Sequence, residues 1–240
     1  MSSLNSDSDL YLRVREREGR LYSDEVVARL PAVPSAHPLW AEWKTRAASA
    51  ARLTEYLARL PKPLTILDLG CGNGWLSNQV ALVVGCRVTG VDFNHHELSQ
   101  AARVFPENRR LAFVQADIFQ APFGERRFEV ALIASAAQYF SDLPALIRQL
   151  FALLVERGEI HLLDSPFYAP AEVANARQRS QTYYTALGLP QMAAHYQHHG
   201  WETLSEFKPV MLYDPHSALN LWRRRLRLPV SPFPWIRLRK

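Results

Sequence analysis

Residues 64–77, Leu-Thr-Ile-Leu-Asp-Leu-Gly-Cys-Gly-Asn-Gly-Trp-Leu-Ser, join a short apolar run to a turn with glycine at every second position. Leu64, Ile66, Leu67 and Leu69 suit a parallel strand covered on both faces. Gly70, Gly72 and Gly74 lack Cβ, so the turn can adopt positive φ and a ligand can approach the main chain. A helix over residues 75–84 would then aim its unpaired N–H groups and positive dipole end at that turn. The stretch fits a backbone shaped for a nucleotide-like ligand, although a tight strand-to-helix turn without ligand uses the same residues.

Spacing narrows the ligand. A dinucleotide fingerprint needs G-x-G-x-x-G, and its third glycine would fall at Trp75. The pattern here is Asp-x-Gly-x-Gly-x-Gly, with Asp68 at the strand end. A second strand, 87–91, ends in Asp92 about 20 residues beyond the turn. Asn94 and Glu97 have capping-box spacing for the next helix, which would leave Asp92 free for a ligand. A third strand, 111–116, runs into Asp117 and Ile118, and a fourth, 128–133, leads to Ser135, Gln138 and Tyr139.

These four features, in this order, resemble the class I S-adenosylmethionine-dependent methyltransferases, and the resemblance covers about residues 40–165. It implies S-adenosylmethionine as cofactor, with its methionyl part on the turn of Gly70, Cys71, Gly72 and Gly74 and its amino group near Asp68. It further implies Asp92 on the ribose, Phe93 against the adenine, Asp117 on the exocyclic amine and Ile118 along the ring. Ser135 and Tyr139 would face the methyl donor, and Tyr139 and Asp164 are the candidates for orienting an acceptor.

The order of elements gives the architecture. Strands near 64–69, 87–91, 111–116, 128–133 and 158–164 alternate with helices near 40–60, 75–84, 94–105 and 142–155, the rhythm of βαβ units. The expected fold is α/β, a three-layer Rossmann-like sheet, with ligands outside the carboxyl ends of the strands. The resemblance implies a mostly parallel seven-stranded sheet with an antiparallel final strand, for which 235–239 is the candidate beside a strand over 208–213. The expected division is a helical cap over 1–60, a cofactor-binding core over 61–165, and substrate-side helices and closing strands over 166–240. With 240 residues and 48% apolar content, the chain can bury one sizeable core. No apolar run is long enough for a membrane span, and residues 1–18 are too polar for a signal peptide. Cys71 and Cys86, the only cysteines, suit a reducing compartment, and the expected location is cytoplasmic.

Acceptor recognition is expected from the segments outside the common core. Trp43 or Arg46 could cover the cofactor, although an amphipathic helix packing Trp40 and Trp43 on the sheet is the plainer reading. Residues 165–199, with Tyr168, Tyr183, Tyr184 and Tyr196, are expected to wall an acceptor pocket. His195, His198 and His199 are spaced for one helical face and read as solvated rather than metal-binding, His161 as a hydrogen-bonded core residue, and His95 and His96 as surface. Methyl transfer needs alignment first, and needs a base only for acceptors with a tightly held proton.

From Arg223 to Lys240 the chain has seven basic residues and no acid, leaving 23 acids against 21 bases elsewhere. Such a tail could meet nucleic acid or an anionic membrane. Pro229, Pro232 and Pro234 interrupt it and 235–239 alternates like a half-buried strand, so closing the sheet is the expected role. After the fourth strand stands Ala134-Ser135-Ala136-Ala137-Gln138-Tyr139, not the Asn-Pro-Pro-Tyr type of clamp used on nucleobase amines. The expected partner is therefore a small-molecule acceptor, with an RNA methyltransferase or a non-catalytic cofactor-binding module as alternatives.

Overall fold

The computed structural model describes residues 2–120, 123, 127–228 and 230–240, so Pro229 lies outside the described residues. Seven strands form one sheet: β1 (Leu64–Leu69), β2 (Cys86–Asp92), β3 (Leu111–Gln115), β4 (Phe128–Ala134), β5 (Leu154–Leu163), β6 (Val210–Tyr213) and β7 (Trp235–Arg239). Their spatial order is β3-β2-β1-β4-β5-β7-β6. The first five are parallel, and β7 runs antiparallel between β5 and β6, as expected for 235–239. The fifth strand begins four residues before the expected 158, across a register shift opposite Phe128 and Val130.

Helices α1 (Ser2–Arg17), α2 (Asp24–Val27) and α3 (Trp40–Arg59) precede the sheet; α4 (Trp75–Ala81), α5 (His95–Val104), α6 (Leu143–Leu153), α7 (Val173–Ala186) and α8 (Ala218–Arg225) follow in turn. Strand residues alternate between two buried clusters. Leu67, Leu69, Ile133, Ile160 and Leu162 pack on Leu146, Ile147 and Leu150 of α6. Ile66, Val88, Val130 and Leu132 pack on Leu53 and Leu57 of α3 and on Leu76 and Val80 of α4. A strand buried on both faces reads as a continuous apolar run, which is why β1 and β4 are legible without periodicity.

A third, separate cluster ties α1 to α7 and the turn after it. Leu10 and Val14 of α1 pack on Tyr184, Leu189 and Met192. The Tyr183 hydroxyl donates to Glu18 at 2.7 Å, and Arg17 donates to the Leu187 carbonyl at 2.6 Å.

Two expectations fail. Trp43 is buried against Tyr22 and Trp75, but Trp40 is 38% exposed and lies under the Lys44 ammonium instead of on the sheet. His195 ends a 3-10 turn (Pro190–His195), while His198 and His199 follow outside any helix and are buried. His198 pairs with the Ser180 hydroxyl at 2.9 Å and His199 with the Ala137 carbonyl at 3.0 Å, so neither is solvated. The proline at 190 and the bridge from Gly200 to Tyr168 break the helix that the i, i+3, i+4 spacing suggested.

Candidate functional site

A cavity of about 600 Å³ opens at the carboxyl ends of the first five strands. Its floor is the turn after β1. Gly70 has φ +73° and a Cβ there would stand 2.5 Å from the Ala136 side chain, so only glycine lets the turn pass the loop after β4. The Gly72 N–H donates to Asp92 Oδ2 at 2.8 Å, and the Asn94 N–H donates to Oδ1 at 2.8 Å. Asp92 is therefore already employed: its carboxylate fixes the glycine turn as well as facing the cavity. Burial raises its pKa, opposed by these backbone donors.

Asp68, almost wholly buried, accepts from the Ser77 hydroxyl at 2.5 Å, and burial pushes its pKa up to about 6. Across the cavity Asp117 accepts from the Phe119 N–H at 3.0 Å and from Gln120 at 2.9 Å, beside the buried Ile118 and the half-buried Phe93. Cys71 is buried in the same wall. Asp68, Gly70, Cys71, Gly72, Asp92, Phe93, Asp117, Ile118, Ser135, Tyr139 and Asp164 all line this one space. Gly74 does not; at φ +74° it serves as the left-handed N-cap of α4.

The end of the cavity beyond β4 and β5 carries backbone strain. Ser135 (φ +56°) and Asp164 (φ +50°) both sit in the left-handed region, which non-glycine residues adopt at a cost. The Ser135 hydroxyl accepts from Arg46 at 3.1 Å and donates to the Asp164 carbonyl at 3.2 Å. Asp164 Oδ1 accepts from the Ser49 hydroxyl at 2.8 Å and from Ser231 at 3.4 Å. Burial raises the Asp164 pKa, with Arg46 and the Ser49 bond opposing it. Glu42 holds Arg46 through Nε at 2.9 Å and holds Arg20 by two bonds, at 2.7 and 2.6 Å. Although burial opposes it, those arginines hold the Glu42 carboxyl down to about 2. Arg46 thus enters the cavity wall positioned from α3, the less favoured of the two readings for that segment.

Among the wall residues that the sequence analysis did not assign to the site are Tyr11, Arg15, Arg20 and Glu97. The capping box forms only by half. Asn94 Oδ1 does accept from the Glu97 N–H at 3.2 Å, but the Asn94 N–H goes to Asp92 and the Glu97 carboxyl turns into the cavity. A Cβ on Gly72 would lie 3.0 Å from Glu97 Oε2. Burial pushes the Glu97 pKa up to about 7, against the Arg15 charge and a hydrogen bond from Tyr11. The Tyr11 hydroxyl in turn accepts from Arg15 Nε at 2.7 Å, and its ring meets Tyr139 edge-on at 5.6 Å. Glu97 was visible as a carboxylate one turn beyond Asp92; nothing local marked Tyr11.

The expected aromatic wall is displaced. Tyr168, Tyr183 and Tyr184 do not line the cavity; Tyr184 is buried in the cluster with α1, and Tyr183 is 47% exposed. From residues 165–199, only Met192 and His195 reach the cavity among the described residues. His161 is buried on β5, accepting from Trp235 Nε1 at 3.1 Å and pairing with Glu159 at 3.3 Å, so it is a core residue as expected.

Comparison with known proteins agrees with this geometry. Residues 66–158 match the family described as a methyltransferase domain. The 2-phytyl-1,4-naphtoquinone methyltransferase of Thermosynechococcus vestitus is 32% identical over 139 residues, covering 57% of this chain and 60% of the relative. The 27-O-demethylrifamycin SV methyltransferase of Amycolatopsis mediterranei is 26% identical over 179 residues, covering 69% and 65%. The chain thus spans less than two thirds of either relative. The plantazolicin methyltransferase BpumL, solved with a pentazolic desmethylPZN analog and SAH, superposes with a TM-score of 0.55 at 20% identity over 82% of this chain and 85% of that one, a likeness of fold. The strand order, the Asp-x-Gly-x-Gly-x-Gly turn and the family match agree: residues 66–158 match the methyltransferase domain family, and the chain is similar in fold to S-adenosylmethionine-dependent methyltransferases.

Proposed function

We propose that the chain binds S-adenosylmethionine in this cavity and transfers its methyl group to an oxygen, nitrogen or carbon of a small-molecule acceptor. The carrying observation is the convergence of Asp68 with the glycine turn, Asp92 and Asp117, from three separate segments, on one cavity of about 600 Å³. The residues present fit a cationic ligand with hydrogen-bonding edges. Asp68, Asp92 and Glu97 are carboxyls whose pKa values burial has raised, so a positive charge among them would restore their ionised forms. Asn94, 3% exposed in the cavity wall, keeps an Nδ2 donor with no partner in the protein.

When bound, the cofactor supplies a methyl group on a positively charged sulfur, which transfer leaves neutral. The chain's own contribution is alignment and dehydration. The turn N–H groups and Arg46 suit the methionyl end, Asp92 with Glu97 the ribose, and Phe93, Asp117 and Ile118 the adenine. Tyr139, between Tyr11 and Tyr196, is placed to orient the acceptor. Asp164 acts as a positioning residue, joining Ser49 of α3 and Ser231 to the strained end of β5. On this reading residues 1–60 cap the site, 61–165 hold the cofactor and 166–240 complete the acceptor side.

The named relatives act on a quinone and on a rifamycin. Quinols, phenols and macrocyclic alcohols are accordingly the first acceptors to assay, with methyl-labelled cofactor. Label transfer that is lost in Tyr139→Ala while cofactor affinity is kept supports the reading; cofactor binding without transfer to any tested class supports a binding module. Among the described residues no helix is long and apolar enough to cross a membrane. Two buried free cysteines suit a reducing, cytoplasmic setting.

A further inference from the structure

The basic tail divides into two parts with different surroundings. Its last strand, β7, is built into the sheet, and Trp235, Ile236 and Leu238 are buried. The preceding helix α8 is not. Every residue from 221 to 228 is exposed, and Leu219, Leu221, Trp222, Leu226 and Leu228 are 46–60% exposed.

The orientation of α8 is inverted relative to a helix that packs on a core. Its buried residue is polar: Asn220 faces inward and donates to the Asp214 carbonyl at 2.7 Å. At about 100° per residue, Trp222 then projects about 160° away from the inward direction, and Leu219 and Leu221 about 100° to either side. The outward arc therefore runs from Leu221 through Arg225 and Ala218 to Trp222 and Leu219, an indole between two leucines with one cation among them. Arg223 and Arg224 flank the inner rim, and Arg227 follows the helix at positive φ. No carboxylate occurs from residue 215 to residue 240. An apolar outward face bordered by cations is the pattern of a helix lying in a lipid interface, with arginine heads at the phosphates and the ring at headgroup level.

We propose that α8 and residues 226–228 dock the protein on an anionic phospholipid surface. Charge complementarity selects this occupant. A second copy of the chain would set four arginines against four. A nucleic acid would find one aromatic ring in residues 218–228, while the exposed leucines offer it no stacking surface. The docking face is also coupled to the cavity: after α8 the chain returns through Ser231, whose hydroxyl meets Asp164 and whose carbonyl accepts from Tyr213 at 3.3 Å. Lipid docking would therefore bring the Asp164 end of the cavity toward the membrane, suited to an acceptor dissolved there.

The test is flotation of the full chain with vesicles of phosphatidylcholine alone and of equimolar phosphatidylcholine and phosphatidylserine, at low and physiological salt. The protein should float with the anionic vesicles, less at higher salt, and at least about tenfold less with the neutral ones. Arg223→Gln/Arg224→Gln/Arg225→Gln should weaken binding by more than tenfold, since each arginine near the surface contributes about fivefold. Leu219→Ser/Trp222→Ser should weaken it without changing the melting temperature, because both side chains are exposed. Absence of flotation by the unaltered protein at low salt overturns the proposal, as does flotation that both variants leave unchanged. Retardation of an RNA oligonucleotide while vesicles stay unbound would replace the lipid by nucleic acid. The readout is independent of methyl transfer, so it stands or falls separately from the enzymatic reading.

Discussion

Gly70 and Gly72 enter the cavity as bare backbone at the end of their own strand, whereas Tyr11 and Arg15 enter as side chains from a helix at the other end of the domain's chain. The first kind of wall is set by local geometry. A turn with φ +73° and +53° admits few residue types, and a six-residue strand with four apolar residues points to it. The second kind depends on a packed cluster, Leu10 and Val14 on Tyr184, Leu189 and Met192, that holds α1 in place. The glycine-turn side of the cavity is thus rigid by construction, and the α1 side is rigid only as long as two distant segments stay docked.

The contrast predicts unequal responses to substitution. Gly70→Val places a β-branched residue in the left-handed region and a Cβ 2.5 Å from Ala136. It should cost about 3 kcal/mol of stability and abolish cofactor binding, as read by denaturant unfolding and calorimetry. An unchanged unfolding midpoint would show that the turn is not constrained as described.

The site's carboxyls give a pH signature. Glu97 titrates at about 7 in the folded chain, above its ordinary 4.5. A carboxyl raised on folding contributes stability that is fully present below the unfolded pKa and is lost as pH rises through the folded one. The free protein should therefore lose stability between about pH 4.5 and 7, by roughly 1.4 kcal/mol for each pH unit crossed. Asp68, raised to about 6 from 3.8, adds to the loss between those two values. Affinity for a cationic cofactor should rise over the upper part of the same window, as Glu97 ionises. Glu97→Gln should flatten both profiles; profiles that keep their slopes would remove Glu97 from the site.

How much of this was legible in the sequence follows the same division. Strand β1 and the closing strand β7 lie where the apolar runs put them, because burial on both faces and alternation leave direct patterns. That Asp92 lines the cavity was legible, but not that it braces the glycine turn, since its bonds to Gly72 and Asn94 depend on how the turn folds back. Glu97 was misassigned because capping-box spacing fixes where a backbone N–H goes and not where the carboxyl points. Tyr11, the arginine grip of Glu42 and the burial of His198 and His199 arise from contacts between segments far apart in sequence, which leave no local pattern. Trp40 shows the limit on the other side: it fits an amphipathic helix yet stays exposed, so Trp40→Ala should change stability by no more than about 0.5 kcal/mol in thermal unfolding. A larger loss would mean that α3 presents a different face to the sheet.

The central claim is that the strand-end cavity is the S-adenosylmethionine site, and calorimetric titration of the purified chain tests it most directly. Heat of binding with S-adenosylmethionine, weakened at least about tenfold by Asp92→Ala as charge-assisted hydrogen bonds are lost, is the result expected. No heat with S-adenosylmethionine, together with saturable heat from NAD, would contradict it.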